Sequence, residues 1–118
     1  MKIYNKEVGK IAEEYAANYL EKKGYEIIER NWQIKFGEID IICRDNNILV
    51  FVEVKAKKTL VFGTPEEMFT RGKYTKVKRM ATVYLKGREV PCRIDMVAVE
   101  LAPDNRVLRL RHYENVVF

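Results

Sequence analysis

Two short charged groups, Gly37-Glu38-Ile39-Asp40 and Glu53-Val54-Lys55, stand inside otherwise apolar sequence. The second lies in Ile48-Leu49-Val50-Phe51-Val52-Glu53-Val54-Lys55-Ala56, a β-branched run that reads as a strand buried on both faces. An acid and a lysine there are costly unless paired or bound to something. Side-chain alternation puts Glu53 and Lys55 on one side, roughly 7 Å apart. Ile39-Asp40-Ile41-Ile42-Cys43 reads as a second strand, and Asn46-Asn47 as the tight turn between them, since asparagine tolerates positive φ. A two-residue loop pairs Asp45 with Ile48, and the ladder then sets Asp40 opposite Glu53, with Cβ atoms about 5 Å apart. Two carboxylates so placed can share one hard cation beside a lysine, which makes a metal-dependent hydrolytic site. The competing reading is a buried structural ion-pair cluster, because such networks also gather charge.

The elements that must position these residues follow the order α-β-β-β-α-β-β. A first helix is expected over residues 5–23, with Val8, Ile11, Ala12, Tyr15, Ala16, Tyr19 and Leu20 at helical spacing. Lys22 and Lys23 suit its last turn, and Gly24 suits the C′ position. A strand follows over Tyr25–Trp32, then the hairpin. Thr64-Pro65-Glu66-Glu67 reads as a helix start, with Thr64 capping, Pro65 at N1 and Glu67 completing a capping box. Gly72 is expected to interrupt this helix. Beyond it Tyr74, Val77, Ala81, Tyr84 and Leu85 form an apolar stripe. Strands over Arg93–Leu101 and Val107–Tyr113 flank an Ala102-Pro103-Asp104-Asn105 turn. Strands covered by helices make an α/β sandwich with a central mixed sheet.

With 118 residues and 47% hydrophobic content, the chain is long enough for one core, and no linker divides residues 1–118. No apolar run approaches the ~20 residues of a membrane span, so no membrane partner is expected. Cys43 and Cys92 lack metal-type spacing and read as reduced cysteines of a cytoplasmic protein. Net charge is +5 and unevenly spread. Arg71, Lys73, Lys76, Lys78, Arg79, Lys86 and Arg88 follow Met68 with no acid among them, leaving 15 of the 22 basic residues against 17 acids elsewhere. Such a block favours a polyanion, nucleic acid being the usual one, although a solvated helix face has the same composition. Thr75, Lys76, Arg79, Thr82 and Lys86 lie off the apolar stripe, and Lys78 at its border. Arg30-Asn31-Trp32-Gln33-Ile34-Lys35-Phe36 adds two aromatics that could stack on unpaired bases, though Trp32 reads first as a packed aromatic.

Other charged residues carry less. Glu13 borders the first helix's apolar face and by periodicity reads as a surface glutamate. Glu38 shares a face with Asp40, where it either reaches a metal through water or pairs with a cation. Asp95, among Ile94, Met96 and Ala98, reads as a structural ion pair or backbone contact. His112, the only histidine, reads as a packed residue.

The Asp, hairpin and Glu-X-Lys constellation resembles the PD-(D/E)XK nuclease motif. More closely, the chain is identified as a member of the YraN family of small bacterial proteins, related to archaeal Holliday-junction resolvases. The likeness runs through Gly9 and Glu13, Gly24-Tyr25, Asn31-Trp32, Gly37-Glu38-Ile39-Asp40, Phe51-Val52-Glu53-Val54-Lys55, Phe62-Gly63, Arg93-Ile94-Asp95 and Glu114-Asn115. Ile39 stands where the superfamily label has proline, which carries no metal ligand. The resemblance implies a restriction-endonuclease-like α/β sandwich and a metal-dependent DNA endonuclease acting on branched or structured DNA. Its catalytic residues would be Asp40, Glu53 and Lys55. Mg²⁺ or Mn²⁺ would be held by Asp40 and Glu53, with Glu13 added as a ligand from the helix. Lys73, Lys76, Lys78, Arg79 and Lys86 would contact DNA. The related resolvases act as dimers, which implies a homodimer, although no dimer surface is visible in the sequence. The alternative function is nucleic-acid binding on the same fold without significant cleavage.

Overall fold

A computed structural model describes residues 3–58 and 63–118, with side chains from residue 6 onward. Phe62 of the Phe62-Gly63 motif lies outside the described residues. The elements are α1 (Ile3–Lys22), β1 (Glu26–Ile34), β2 (Gly37–Asp45), β3 (Ile48–Lys57), a 3-10 turn (Glu66–Met68), α2 (Arg71–Leu85), β4 (Cys92–Leu101) and β5 (Val107–Tyr113). The strands form one sheet in sequence order. β3 and β4 are parallel and joined across α2, while every other neighbouring pair is antiparallel. This is a mixed α/β sandwich compatible with the restriction-endonuclease-like fold.

The central strands are apolar on both sides because a helix covers each side. On one, Ala12, Ala16 and Leu20 of α1 pack on Ile41, Cys43, Val50, Val52, Val54, Val97 and Val99. On the other, Tyr74, Val77, Met80 and Ala81 of α2 pack on Ile39, Ile42, Leu49, Phe51, Ile94 and Met96. Phe51, only 1% exposed, is the largest fully buried side chain among the described residues. Truncating it to alanine should cost about 3–5 kcal/mol.

Local signals at three joints behave as expected. Gly24 takes φ 97°, the Tyr25 N–H reaches the Leu20 carbonyl and the Gly24 N–H reaches that of Glu21, which is a Schellman ending. Asn46 takes φ 56° in a two-residue turn that pairs Asp45 with Ile48. The Asn105 N–H closes the last turn on the Ala102 carbonyl at 2.8 Å.

The start of α2 differs from expectation. Thr64 and Glu67 do exchange capping-box bonds, with the Thr64 N–H 2.7 Å from Glu67 Oε1. They close only the 3-10 turn, because Phe69 turns extended and buries its ring beside Tyr74. Thr70 then caps a new helix, its hydroxyl accepting from the Lys73 N–H at 3.3 Å. The interruption therefore falls at Phe69-Thr70, and Gly72 sits within the first turn of α2 without breaking it. Lys86 lies past the helix end as its left-handed C-cap, at φ 50°.

Candidate functional site

β2 and β3 part company at the acidic motif. Their ladder runs from Asp45 opposite Ile48 to Ile41 opposite Val52 and ends there, one pair short of the expected Asp40–Glu53 pairing. Strand alternation slips at the same place: Ile39 packs on the α2 side and Ile41 on the α1 side. Directly opposed like charges destabilise a ladder, and a ladder that stops would orphan a backbone donor. Asp40 resolves both, because its Oδ2 accepts the Val54 N–H at 2.8 Å.

The fork so made collects carboxylates. Oxygens of Glu13 on α1, Glu38 and Asp40 lie within 4.8 Å of one another. Asn31, on β1, donates both amide hydrogens into the group, at 2.8 Å to Glu13 Oε1 and 2.8 Å to Glu38 Oε2. It does so from a left-handed conformation, φ 53°, open to asparagine at small cost. Gln33 Nε2 adds a 3.3 Å bond to Glu38 Oε1. Lys10 and Lys6, one and two turns before Glu13 on α1, line the same cleft of about 390 Å³.

Burial pushes the Asp40 carboxyl well above the usual carboxylate range, and the charges of Glu53 and Glu13 push it further. The Val54 N–H and Lys55 oppose the rise without cancelling it. Three acid oxygens converging around a group that resists ionisation form a donor set suited to a hard cation. Glu53, 9% exposed, stands outside the group of three and pairs with Lys55 Nζ at 2.9 Å. Of the residues expected to bind metal, the fold thus gathers Glu13 and Asp40, with Glu38 as the third member. Asn31, Lys6 and Lys10 were not foreseen. The 6, 10, 13 spacing on one helix face was readable, whereas the conformation of Asn31 was not.

The cations expected at the DNA surface divide. Lys76 and Arg79 line a groove with Arg71, Thr75 and Phe36. Lys78 lies 5.9 Å over the Tyr74 ring and lines another hollow with Thr82. Lys73 is exposed in the first turn of α2, and Lys86 caps the far end of the helix. Trp32 is a packed aromatic, edge-on to Tyr84 at 5.2 Å, while Phe36 is 54% exposed.

On β4, the 93–95 and 114–115 segments of the sequence meet around Asp95. This carboxylate, 0% exposed, takes Arg93 Nε at 3.0 Å, His112 Nε2 at 2.8 Å and the Asn115 N–H at 2.9 Å. Burial alone would raise its pKa, but the bonds from His112, Arg93 and Asn115 hold it below the usual range. Arg93 also bonds Tyr25 and Asp45. Asp95 is thus both ion-paired and backbone-bound, as expected. His112 packs between the edges of Tyr19 and Tyr25, but it also joins the ion network, which its apolar neighbours in sequence concealed.

The family model described as "Uncharacterised protein family UPF0102" matches residues 12–99. A UPF0102 protein of Dictyoglomus turgidum is 38% identical over 94% of this chain and 97% of its own length. One of Symbiobacterium thermophilum is 45% identical over 94% and 96%. One of Pelotomaculum thermopropionicum is 41% identical over 92% of each. No helix among the described residues is long and apolar enough to cross a membrane.

Proposed function

We propose that this chain, which belongs to the UPF0102 family, is a metal-dependent endonuclease hydrolysing phosphodiester bonds in DNA, with branched or structured DNA as its substrate. The observation that carries this reading is Asp40, a carboxyl crowded by other acids and raised out of its normal range. A hard cation would relieve that crowding. Glu13, Glu38 and Asp40 would hold Mg²⁺ or Mn²⁺, with Glu53 adjacent on β3. Once bound, the ion would neutralise the phosphate and lower the pKa of a coordinated water.

The chain's own residues supply the rest. Lys55, steadied by Glu53, offers a positive charge to the phosphoryl oxygens as negative charge grows on them. Lys6 and Lys10 offset the repulsion between the acids and an incoming phosphodiester. Exposed cations of α2 hold the DNA backbone without reading its sequence. Asn31 keeps Glu13 and Glu38 together.

One observation favours a second reading, nucleic-acid binding without cleavage: Glu53 and Lys55 satisfy each other at 2.9 Å. The two are separated by incubating linear, single-stranded, flap and four-way DNA with Mg²⁺ or Mn²⁺, beside Asp40→Asn and Glu53→Gln. Cleavage by wild type that both variants lose supports the nuclease. Equal cleavage by all three proteins would indicate a contaminant and remove the site assignment, and binding with no cleavage selects the second reading.

A further inference from the structure

The exposed ring of Phe36 stands over a row of cations. Phe36 lies in the turn between β1 and β2, 54% exposed, and no other ring packs against it among the described residues. Together with Arg71, Thr75, Lys76 and Arg79 it lines an open groove of about 910 Å³. Arg71, Thr75 and Arg79 recur at four-residue spacing along one face of α2, so the cations span roughly 12 Å. Gly37 brings the turn against this helix. A Cβ there would fall 2.9 Å from Lys76 Cε and 2.7 Å from Met80 Sδ, so both side chains lie directly against the bare Gly37 backbone.

The cations themselves are the second observation. Five arginines elsewhere pair with acids: Arg30 with Glu14, Arg44 with Glu26, Arg93 with Asp95, Arg106 with Asp104 and Arg111 with Glu66. Arg71, Lys76 and Arg79 have no carboxylate partner among the described residues, and no acid lines the groove. Unneutralised charge with an unpacked aromatic at its edge fits a polyanion that also carries flat rings. Duplex DNA offers phosphates but keeps its ring faces stacked inside.

We propose that this groove binds an unpaired nucleic-acid segment, one base stacked on Phe36 and its flanking phosphates on Arg71, Lys76 and Arg79. This deepens the nuclease reading by naming the substrate feature, an unpaired strand, and it rests on that reading only for the choice of nucleic acid. Phe36 is two residues from Glu38, about 7 Å of strand.

The test is binding of fluorescent oligo(dT), a duplex of equal length, and oligo(dT) with abasic sites, measured by anisotropy in EDTA so that cleavage plays no part. Stacking on an aromatic predicts that Phe36→Ala weakens oligo(dT) binding by roughly 5- to 150-fold with an unchanged salt slope. Phe36→Trp should restore it, and Phe36→Ala should leave duplex binding unaltered. Lys76→Ala with Arg79→Ala should make the salt slope shallower by about 0.7 per lost contact. Wild type should bind the abasic strand as weakly as Phe36→Ala binds the intact one. Equal binding of oligo(dT) by wild type and Phe36→Ala overturns the proposal. So does equal wild-type affinity for polyglutamate, which would make the groove a general polyanion surface. Stacking intact here, together with no cleavage of any DNA substrate in Mg²⁺ or Mn²⁺, would sink the nuclease reading alone.

Discussion

Asp40 and Asp95 are both acids on central strands, and their surroundings push them in opposite directions. Asp95 has an arginine, a histidine and a backbone N–H on its two oxygens, and ionises more readily than a free aspartate. Asp40 has one backbone N–H and the charges of Glu53 and Glu13 around it, and ionises less readily. The first arrangement is complete and holds three segments of chain together. The second is left with unmatched negative charge, which a bound cation would offset under the proposed function. Burial is shared by both aspartates; the balance of charge around each is what separates a structural acid from a binding one.

The largest effect expected from breaking this comparison is at the complete site. Asp95→Asn should leave Arg93 without its main counter-charge and destabilise the fold by about 3–5 kcal/mol, read from urea unfolding. Because the folded-state pKa of Asp95 is depressed, its contribution is present above the ordinary aspartate pKa and lost as pH falls through the folded value. The gap between wild type and variant should therefore close in acid.

Asp40→Asn should act with the opposite sign. An acid whose folded pKa is raised costs stability as pH climbs above the ordinary value, since the unfolded chain ionises first. The metal-free variant should then be more stable than wild type at neutral pH, by roughly 1 kcal/mol, and no more stable near pH 3. The asparagine carbonyl can still accept the Val54 N–H. A variant less stable than wild type at neutral pH would mean that Asp40 is a compensated structural acid like Asp95.

Ligand linkage sharpens the contrast further. Mn²⁺ or Mg²⁺ at ten times its Kd should raise the unfolding free energy of wild type by about 1.4 kcal/mol. Asp40→Asn should respond little, as should Glu13→Gln. A mild variant of the Asp95 network that still folds, Tyr25→Phe, should respond as wild type does.

The smallest effect on stability is expected at Asn31. Asn31→Gly keeps the left-handed backbone accessible and removes the amide that bridges Glu13 and Glu38. Metal affinity should fall about tenfold, in the range for groups that orient ligands, with little change in stability. Calorimetry showing unchanged affinity would reduce Asn31 to a feature of the β1 turn of chain.

Much of this was legible in the sequence because it rests on local rules. Gly24, Asn46 and the alternating apolar faces of β3 each act within a few residues, and the acid-hairpin-acid pattern follows from them. The exceptions arise where distant surfaces compete. α2 starts at Thr70, because Phe69 finds its burial beside Tyr74, outweighing a capping box that was read correctly. The β2–β3 ladder stops before Asp40 because Ile39 is drawn to the α2 side and Ile41 to the α1 side. Within the candidate site, Asp40 was legible from the motif, whereas Glu13 entered only through the family resemblance, its helical periodicity reading as a surface glutamate. The partnership of Glu38 with Asn31 depended on a backbone angle that no residue pattern specifies.

β1 lies at one edge of the sheet, where its outward backbone groups would ordinarily invite another strand. It holds one extra residue between Ile27 and Glu29 relative to β2, and Asn31 then turns left-handed. Two such breaks within five residues throw the outward N–H and C=O groups out of step with any straight strand. Growth of the sheet into fibres or strand-swapped assemblies is thereby blocked at this edge and left to β5. The asparagine that gathers the acids also roughens the exposed edge of the sheet.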